Sequence, residues 1–264
     1  GTNDVSLGNV TNGGIINAVD LVGTLTVAEN GGSTSNLTVT GGSSTTTVTG
    51  TAALAELLTV VSGDSNDSVT SVLTTGALNA VLGGGTNTVV SDATTTGTVV
   101  VVSGSGDDTV GLDGLTSGTA NLQLGDGTNT VDIGATAGAG SVLAAINLTY
   151  AGGTGVDTIR IDDATVAGAI VNLDFGTGGA VDVFDISGLA NAGVDLTGAT
   201  TMVLTNLEEI AIGSATTAAV MDAATLTGQS YRITGDGTIG DTMTVNTATA
   251  GTYDFSSIVI DNTI

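Results

Sequence analysis

The sequence contains no cysteine, histidine, proline, tryptophan or lysine. Without cysteine there are no disulfides, no zinc–thiolate sites and no thiol chemistry. That absence does not by itself indicate a reducing compartment. Losing His, Cys and Lys together removes the usual general bases and nucleophiles. Two basic side chains, Arg160 and Arg232, face 26 acids, for a net charge of −24. Nucleic-acid binding requires many cations to neutralise phosphates, so two arginines exclude it. Anionic membrane surfaces are disfavoured for the same reason. Such a chain repels itself unless cations condense on it, and calcium is the obvious extracellular candidate.

Aromatic residues make up 2% of the chain, namely Tyr150, Tyr231, Tyr253, Phe175, Phe184 and Phe255. Substrate clefts in sugar enzymes lean on aromatics. A carbohydrate-active site would have to come from carboxylate pairs such as Asp107-Asp108, Asp162-Asp163 or Glu208-Glu209. Adjacent residues on a strand point to opposite faces, so none of these pairs forms a site alone. The expectation is that the chain is not an enzyme. Long apolar runs are missing too. Val99 to Val102 is strand-sized, and no basic segment followed by an apolar stretch opens the sequence as a cleavable signal would.

The hydrophobic residues present are mostly Val, Ile, Leu and Ala, interspersed with Thr, and mean hydropathy is +0.43. That combination favours strands and a folded chain rather than disorder. The 42 glycines supply turns. One turn phrase recurs: Gly63-Asp64-Ser65-Asn66-Asp67-Ser68-Val69, then residues 83–89, 104–110 and 125–131. Its anchors Asp67, Asn87, Asp108 and Asn129 lie 20, 21 and 21 residues apart. A fixed period in this range signals a stacked solenoid. Two short strands and two turns account for a coil of about 21 residues. The phrase continues with looser spacing at Asp157 and Asp182, where insertions on one edge are expected.

The fold class read from this pattern is all-β, a right-handed parallel β-solenoid with small flanking β regions. Three regions follow: residues 1–58, an N-terminal β region whose segment 52–58 reads as a short capping helix; 59–190, the solenoid; and 191–264, a C-terminal β region. Residues 202–212 read as strand, turn, strand. Ile258-Val259-Ile260 is an apolar strand without an obvious partner in sequence. It either pairs within its own domain or adds to a neighbouring molecule's sheet edge.

The sharpest motif, Gly152-Gly153-Thr154-Gly155-Val156-Asp157-Thr158-Ile159-Arg160, fits the nonapeptide G-G-x-G-x-D-x-U-x. In that motif glycine lets carbonyls turn toward an ion and aspartate supplies a hard oxygen. The chain therefore resembles the RTX-type (repeats-in-toxin) proteins. More closely, it resembles Gly/Thr/Val-rich, Lys-poor surface-layer and giant surface proteins of Gram-negative bacteria. The turns at 63–69, 104–110, 125–131 and 235–243 and the phrase 204–210 carry the resemblance further. It implies secretion by a type I system, calcium in the turns and an extracellular location. The candidate ligands are Asp64, Asp67, Asp107, Asp108, Asp126, Asp157, Asp182, Asp236 and Asp241. Two departures stand out. RTX coils place two nonapeptides back to back, whereas here one phrase occurs per coil, and two of the four regular anchors are Asn. The alternative for each anchor is an Asx ladder, with stacked side chains bonding turn amides.

The function expected is a self-assembling, calcium-stabilised subunit of a bacterial surface layer or extracellular filament. Its partners would be copies of itself and cell-surface polysaccharide. An adhesin stalk or binding module and an amyloid-like matrix fibre are the alternatives. The fibre reading expects a regular Gln/Asn pattern, yet Gln occurs only at 123 and 229. Arg160 and Arg232 are expected to pair with sequence-near acids, Asp162 and Asp236.

Overall fold

A computed structural model describes residues 3–29, 35–50, 57–72, 75–91, 97–112, 115, 117–134, 142–162, 165–187, 194–213, 219–235, 241–247 and 250–261. The chain is an all-β parallel solenoid averaging about 23 residues per turn. Every strand pairing between successive coils is parallel.

Two ladders form the wall. The first begins at Val5–Val10 and passes through Leu25–Glu29, Thr46–Gly50, Ser68–Ser71, Thr88–Ser91 and Thr109–Leu112. It continues through the second halves of Gly118–Ile133 and Ile146–Ile161, then Val183–Asp185, Glu209–Ala211, Arg232–Thr234 and Val259–Ile260. The second ladder runs from Gly14–Asn17 through Leu37–Thr40, Leu57–Val61, Ala77–Val81 and Thr98–Val102. It then uses the first halves of the two long strands, Ile170–Asp174 and Thr201–Thr205. Both ladders cross residues 59 and 190 without a break. Val259–Ile260 pairs inside its own chain, on Arg232–Thr234.

The reason these residues stack is the alternation within each strand. In Thr46–Gly50, as in Leu37–Thr40, buried and half-buried residues alternate. The inward residue of the first ladder forms one column: Val27, Val48, Val69, Val89, Val110, Val131, Ile159, Phe184, Ile210 and Ile233, all buried. A slip of one residue would turn that column outward, so the apolar pattern fixes the register.

Rungs in this column lie 20 or 21 residues apart as far as Val131, then 28, 25, 26, 23 and 27 apart. The expected coil of 21 thus holds for the first half only. The extra residues are more than edge insertions. Val142–Ala144 pairs with Thr165–Ala167, and Ala219–Asp222 with Met243–Asn246. Asp195 links the two pairs by bridging Val220 and accepting from Val166 N–H. A third wall therefore opens where the coil lengthens. The interior widens with it, and the side chains grow to match. Val and Leu give way to Tyr150, Phe175, Ile159, Ile161 and Phe184, with the Tyr150 and Phe175 rings 6.0 Å apart. Close packing demands that match.

The segment expected to be helical is described only at its end. Residues 52–56 lie outside the described residues, and Leu57 and Leu58 open a strand. A one-turn helix, Ala223–Leu226, instead sits against Thr201–Thr205, the last rung of the second ladder, with Ala223 and Leu226 buried. Its place in the coil is where the next rung of that ladder would be. Among the described residues no helix is long and apolar enough to cross a membrane.

Candidate functional site: the acidic turn edge

The repeated turns stack along one edge of the solenoid and carry two rows of Asx side chains. The inner row is the anchor column, two residues before the inward valine. Asp67, Asn87, Asp108, Asn129, Asp157 and Asp182 are all buried, at 1–3% exposure. Each takes a backbone N–H from the coil before it. Thr46 N–H donates to Asp67 Oδ1 (2.6 Å), Asp67 N–H to Asn87 Oδ1 (3.0 Å) and Asn87 N–H to Asp108 Oδ1 (2.9 Å). Asp108 N–H donates to Asn129 Oδ1 (3.1 Å), Asp157 N–H to Asp182 Oδ1 (2.7 Å) and Asp182 N–H to Glu208 Oε2 (3.0 Å). Asn129 joins Asp157 through its side-chain amide, Nδ2 to Oδ1 at 2.9 Å. Buried amides need acceptors, and this row supplies one per coil at the point where the chain turns. The sequence pattern alone did not reveal Glu208 as the last member.

The outer row points the other way. Gly84 N–H donates to Asp64 Oδ1 (3.0 Å), Thr128 N–H to Asp107 Oδ1 (2.8 Å), and both Thr154 N–H and its hydroxyl to Asp126 Oδ1 (2.8 and 2.9 Å). Here an exposed carboxylate reaches forward to the next coil. Those two Thr154 hydrogen bonds hold the Asp126 carboxyl below its ordinary range. Asp107 and Asp108 thus occupy opposite rows, as do Asp64 and Asp67.

The inner row manages charge by alternation. Rungs are about 4.8 Å apart. With Asn87 between Asp67 and Asp108, and Asn129 between Asp108 and Asp157, the acids stand about 10 Å apart. The second polar atom is matched at Asp67, Asn87 and Asn129, whereas Asp108 Oδ2 and Asp157 Oδ2 are buried without a hydrogen-bond partner. Asn87 Nδ2 donates to the carbonyls of Gly83 and Gly85, and Asn129 Nδ2 to Gly125. Asp67 Oδ2 instead accepts from the Ser62 hydroxyl at 2.6 Å, five residues earlier. Ser103 stands in that place for Asp108, its hydroxyl donating to Leu124 O (3.0 Å), while Leu82 and Leu124 stand there for the Asn anchors. Gly152 stands there for Asp157, because a Cβ would fall 2.0 Å from Asp157 Oδ2.

Burial nevertheless pushes the Asp67, Asp108 and Asp157 carboxyls above their ordinary range, with their hydrogen bonds pulling the other way. Alternation then fails: Asp157, Asp182 and Glu208 are three successive acidic rungs. Burial, with Asp157 and Glu208 on either side, lifts Asp182 to about 6. The Tyr150 phenol, buried against Asp157, is raised above its ordinary value.

The two arginines pair across rungs, not with the acids nearest in sequence. Arg160 Nε donates to Asp185 Oδ2 (2.9 Å), and its Nη1 lies 3.9 Å from Asp132. Those acids are its ladder partners one rung on either side. Arg232 pairs in the same way with Glu209 (3.6 Å) and Asp261. Asp162 adds a charge beside Arg160 without forming an ion pair with it, and burial with the neighbouring Asp132 lifts it to about 7.

Asp236 lies outside the described residues. Asp241 is buried near the C-terminal end, its carboxylate occupying the space a Cβ on Gly235 would need. Among the described residues no three acidic side chains gather as a metal-binding group. Calcium takes roughly six to eight oxygens. On this edge the ladder engages Oδ1 of Asp108 and Asp157 and leaves Oδ2 of each without a hydrogen-bond partner, while Asp64, Asp107 and Asp126 lie exposed along the surface. The sequence matches no protein-family model, no curated protein and no solved structure.

Proposed function

We propose that this chain is an extracellular structural protein, a self-assembling subunit of a bacterial surface layer or filament. One observation carries the reading: the parallel ladder is continuous from Val5 to Ile260, fastened at its turns by side chains that serve the adjacent coil. An object built this way is stiff along its axis and repeats at fixed spacing, which suits a mechanical role. The RTX and surface-layer resemblance, type I secretion and the extracellular location belong to the same proposal, as does the absence of catalysis.

Calcium belongs to the same proposal. Ions condense on the exposed row containing Asp64, Asp107 and Asp126, screen the net charge of −24 and bridge neighbouring molecules or cell-surface polysaccharide. Negative-stain electron microscopy of the purified chain, in millimolar calcium and after chelation, tests this. Ordered sheets or filaments that dissolve on chelation are the expected result. Arrays that survive chelation would retain the structural role and remove calcium from it. Dispersed monomers in calcium would overturn the assembly reading in favour of an adhesin stalk.

A further inference from the structure

The outward faces of the two ladders differ in charge. That of the first carries Asp132, Arg160, Asp185, Glu209 and Arg232. That of the second is nearly neutral. Across seven successive rungs, from Leu37–Thr40 to Ile170–Asp174, its outward side chains include one charge, Asp174 at the last corner. Mostly Thr, Asn and Val fill the rest. Exposed apolar surface gathers on the same face. Leu57, Val61, Val81 and Ile170 are each 37% exposed, and Val203 is 44% exposed. Between Leu37 and Thr234, Val181 is the only other large apolar residue so exposed among the described residues. Apolar exposure concentrated on one face marks a contact surface.

The face fits a second copy of this chain. A molecule of net charge −24 meets itself with least repulsion where it carries no acid. Seven rungs at about 4.8 Å, with strands about 17 Å long, give a footprint of about 570 Å². Two such faces bury about 1,100 Å², above the roughly 1,000 Å² that a specific interface needs. Two arrangements pair the face with itself about a two-fold axis. With the copies running in opposite directions about the middle rung, Thr98–Val102, Val61 and Val81 would meet Ala151 and Gln123. With the copies running in the same direction, each rung meets its own equivalent with the strand ends exchanged. Val61 then meets Leu57, and Val81 meets Ala77, apolar against apolar. The central column of Thr59, Asn79, Val100 and Asn121 lies along the axis, each residue against itself.

We propose that two copies of this chain pack second ladder against second ladder, side by side and running in the same direction. This rests on the self-assembly reading and specifies its lateral contact. The interface is isologous, so by itself it closes as a dimer, doubling the width of any longer assembly. The two sheets lie about 10 Å apart, with Val61 and Val81 of one copy over Leu57 and Ala77 of the other.

Because the chain has no cysteine, single cysteines report the contact cleanly. Thr59→Cys, Asn79→Cys and Asn121→Cys stand on the central column, and Thr70→Cys stands on the outward face of the first ladder. A short bismaleimide followed by a denaturing gel reads cross-linking, analytical ultracentrifugation reads assembly, and circular dichroism reads the fold. Each central variant is expected to form cross-linked dimers, whereas Thr70→Cys should not. Adding Val81→Glu to Asn79→Cys is expected to abolish the dimer. If that substitution unfolds the chain, Ala77→Glu replaces it. Cross-linking at one central position alone would indicate copies running in opposite directions and overturn the arrangement. Equal cross-linking of Thr70→Cys would indicate random collision and overturn the contact. Assembly that Val81→Glu leaves intact would overturn it while leaving self-assembly standing. A wild-type chain monomeric at every concentration would overturn both, and its retention on a neutral polysaccharide, lost with Val81→Glu, would assign the face to sugar.

Discussion

Replacing Asp182 with asparagine should stabilise the protein at neutral pH and have no effect at acid pH. Asp182 is 2% exposed, accepts the Asp157 amide, and lies between the acids Asp157 and Glu208. Its carboxyl is raised from 3.8 to about 6. A raised carboxyl favours the native state while protonated. That contribution is complete below about pH 3.8 and is lost as pH rises through about 6. A tenfold change in proton affinity corresponds to about 1.4 kcal/mol, so a rise from 3.8 to about 6 sets a ceiling of about 3 kcal/mol at pH 7. Solvent along the turn edge screens part of that. Asparagine keeps the oxygen that Asp157 N–H needs and carries no charge. It restores the alternation of acid and amide seen from Asp67 to Asp157. Asp182→Asn should therefore gain about 1–2 kcal/mol at pH 7, or about 2–4 °C in Tm per kcal/mol for a domain near this size. Urea unfolding at fixed pH steps from 3.5 to 8 is the assay, since ionic guanidinium would screen the effect. Asp162 titrates in an overlapping window, so the informative quantity is wild type minus variant at each pH. A variant no more stable than wild type at pH 7, or a difference that persists at pH 3.5, would refute the reasoning.

Further outcomes follow from the same geometry. Asn87→Asp places three acids on adjacent rungs at about 4.8 Å, so it should destabilise by about 1–3 kcal/mol at pH 7 and recover on acidification, read by thermal melts at two pH values. Asn87→Leu leaves the buried Asp67 amide without an acceptor and should cost about 2 kcal/mol at any pH, which separates hydrogen bonding from charge. Gly127 has a φ of +133°, and a Cβ there would fall 2.0 Å from Gly106 O. Gly127→Ala should cost about 2 kcal/mol or more, measured by urea unfolding, and an unchanged midpoint would show that the turns can spread. Arg160→Gln removes the cation between Asp132 and Asp185. The destabilisation at pH 7 should be about 1 kcal/mol and should shrink in about 1 M salt, read by urea unfolding with and without added salt.

Much of this molecule is written along the chain. The period of the phrases from Gly63 to Val131, and the alternation in segments such as Thr46–Gly50, determine a parallel stack with valine inside. They do so because side chains alternate across a strand and identical coils bury only identical columns. The residue types at the anchors were equally legible, and so was the choice between ligand and ladder. The sequence could not make that choice. Whether an aspartate faces water or an amide one coil away depends on which side of the turn its side chain leaves. Asp107 and Asp108 are neighbours in sequence and lie in opposite rows. The partners of Arg160 and Arg232 were hidden for a related reason: contacts run across rungs 23–29 residues apart, beyond any local reading. Coil length past Val131 was visible as irregular spacing, but a third wall becomes apparent only when Val142–Ala144 and Thr165–Ala167 are seen to pair. Local pattern determines which face of a strand is buried. Only the stack decides what that face, and each turn, is packed against.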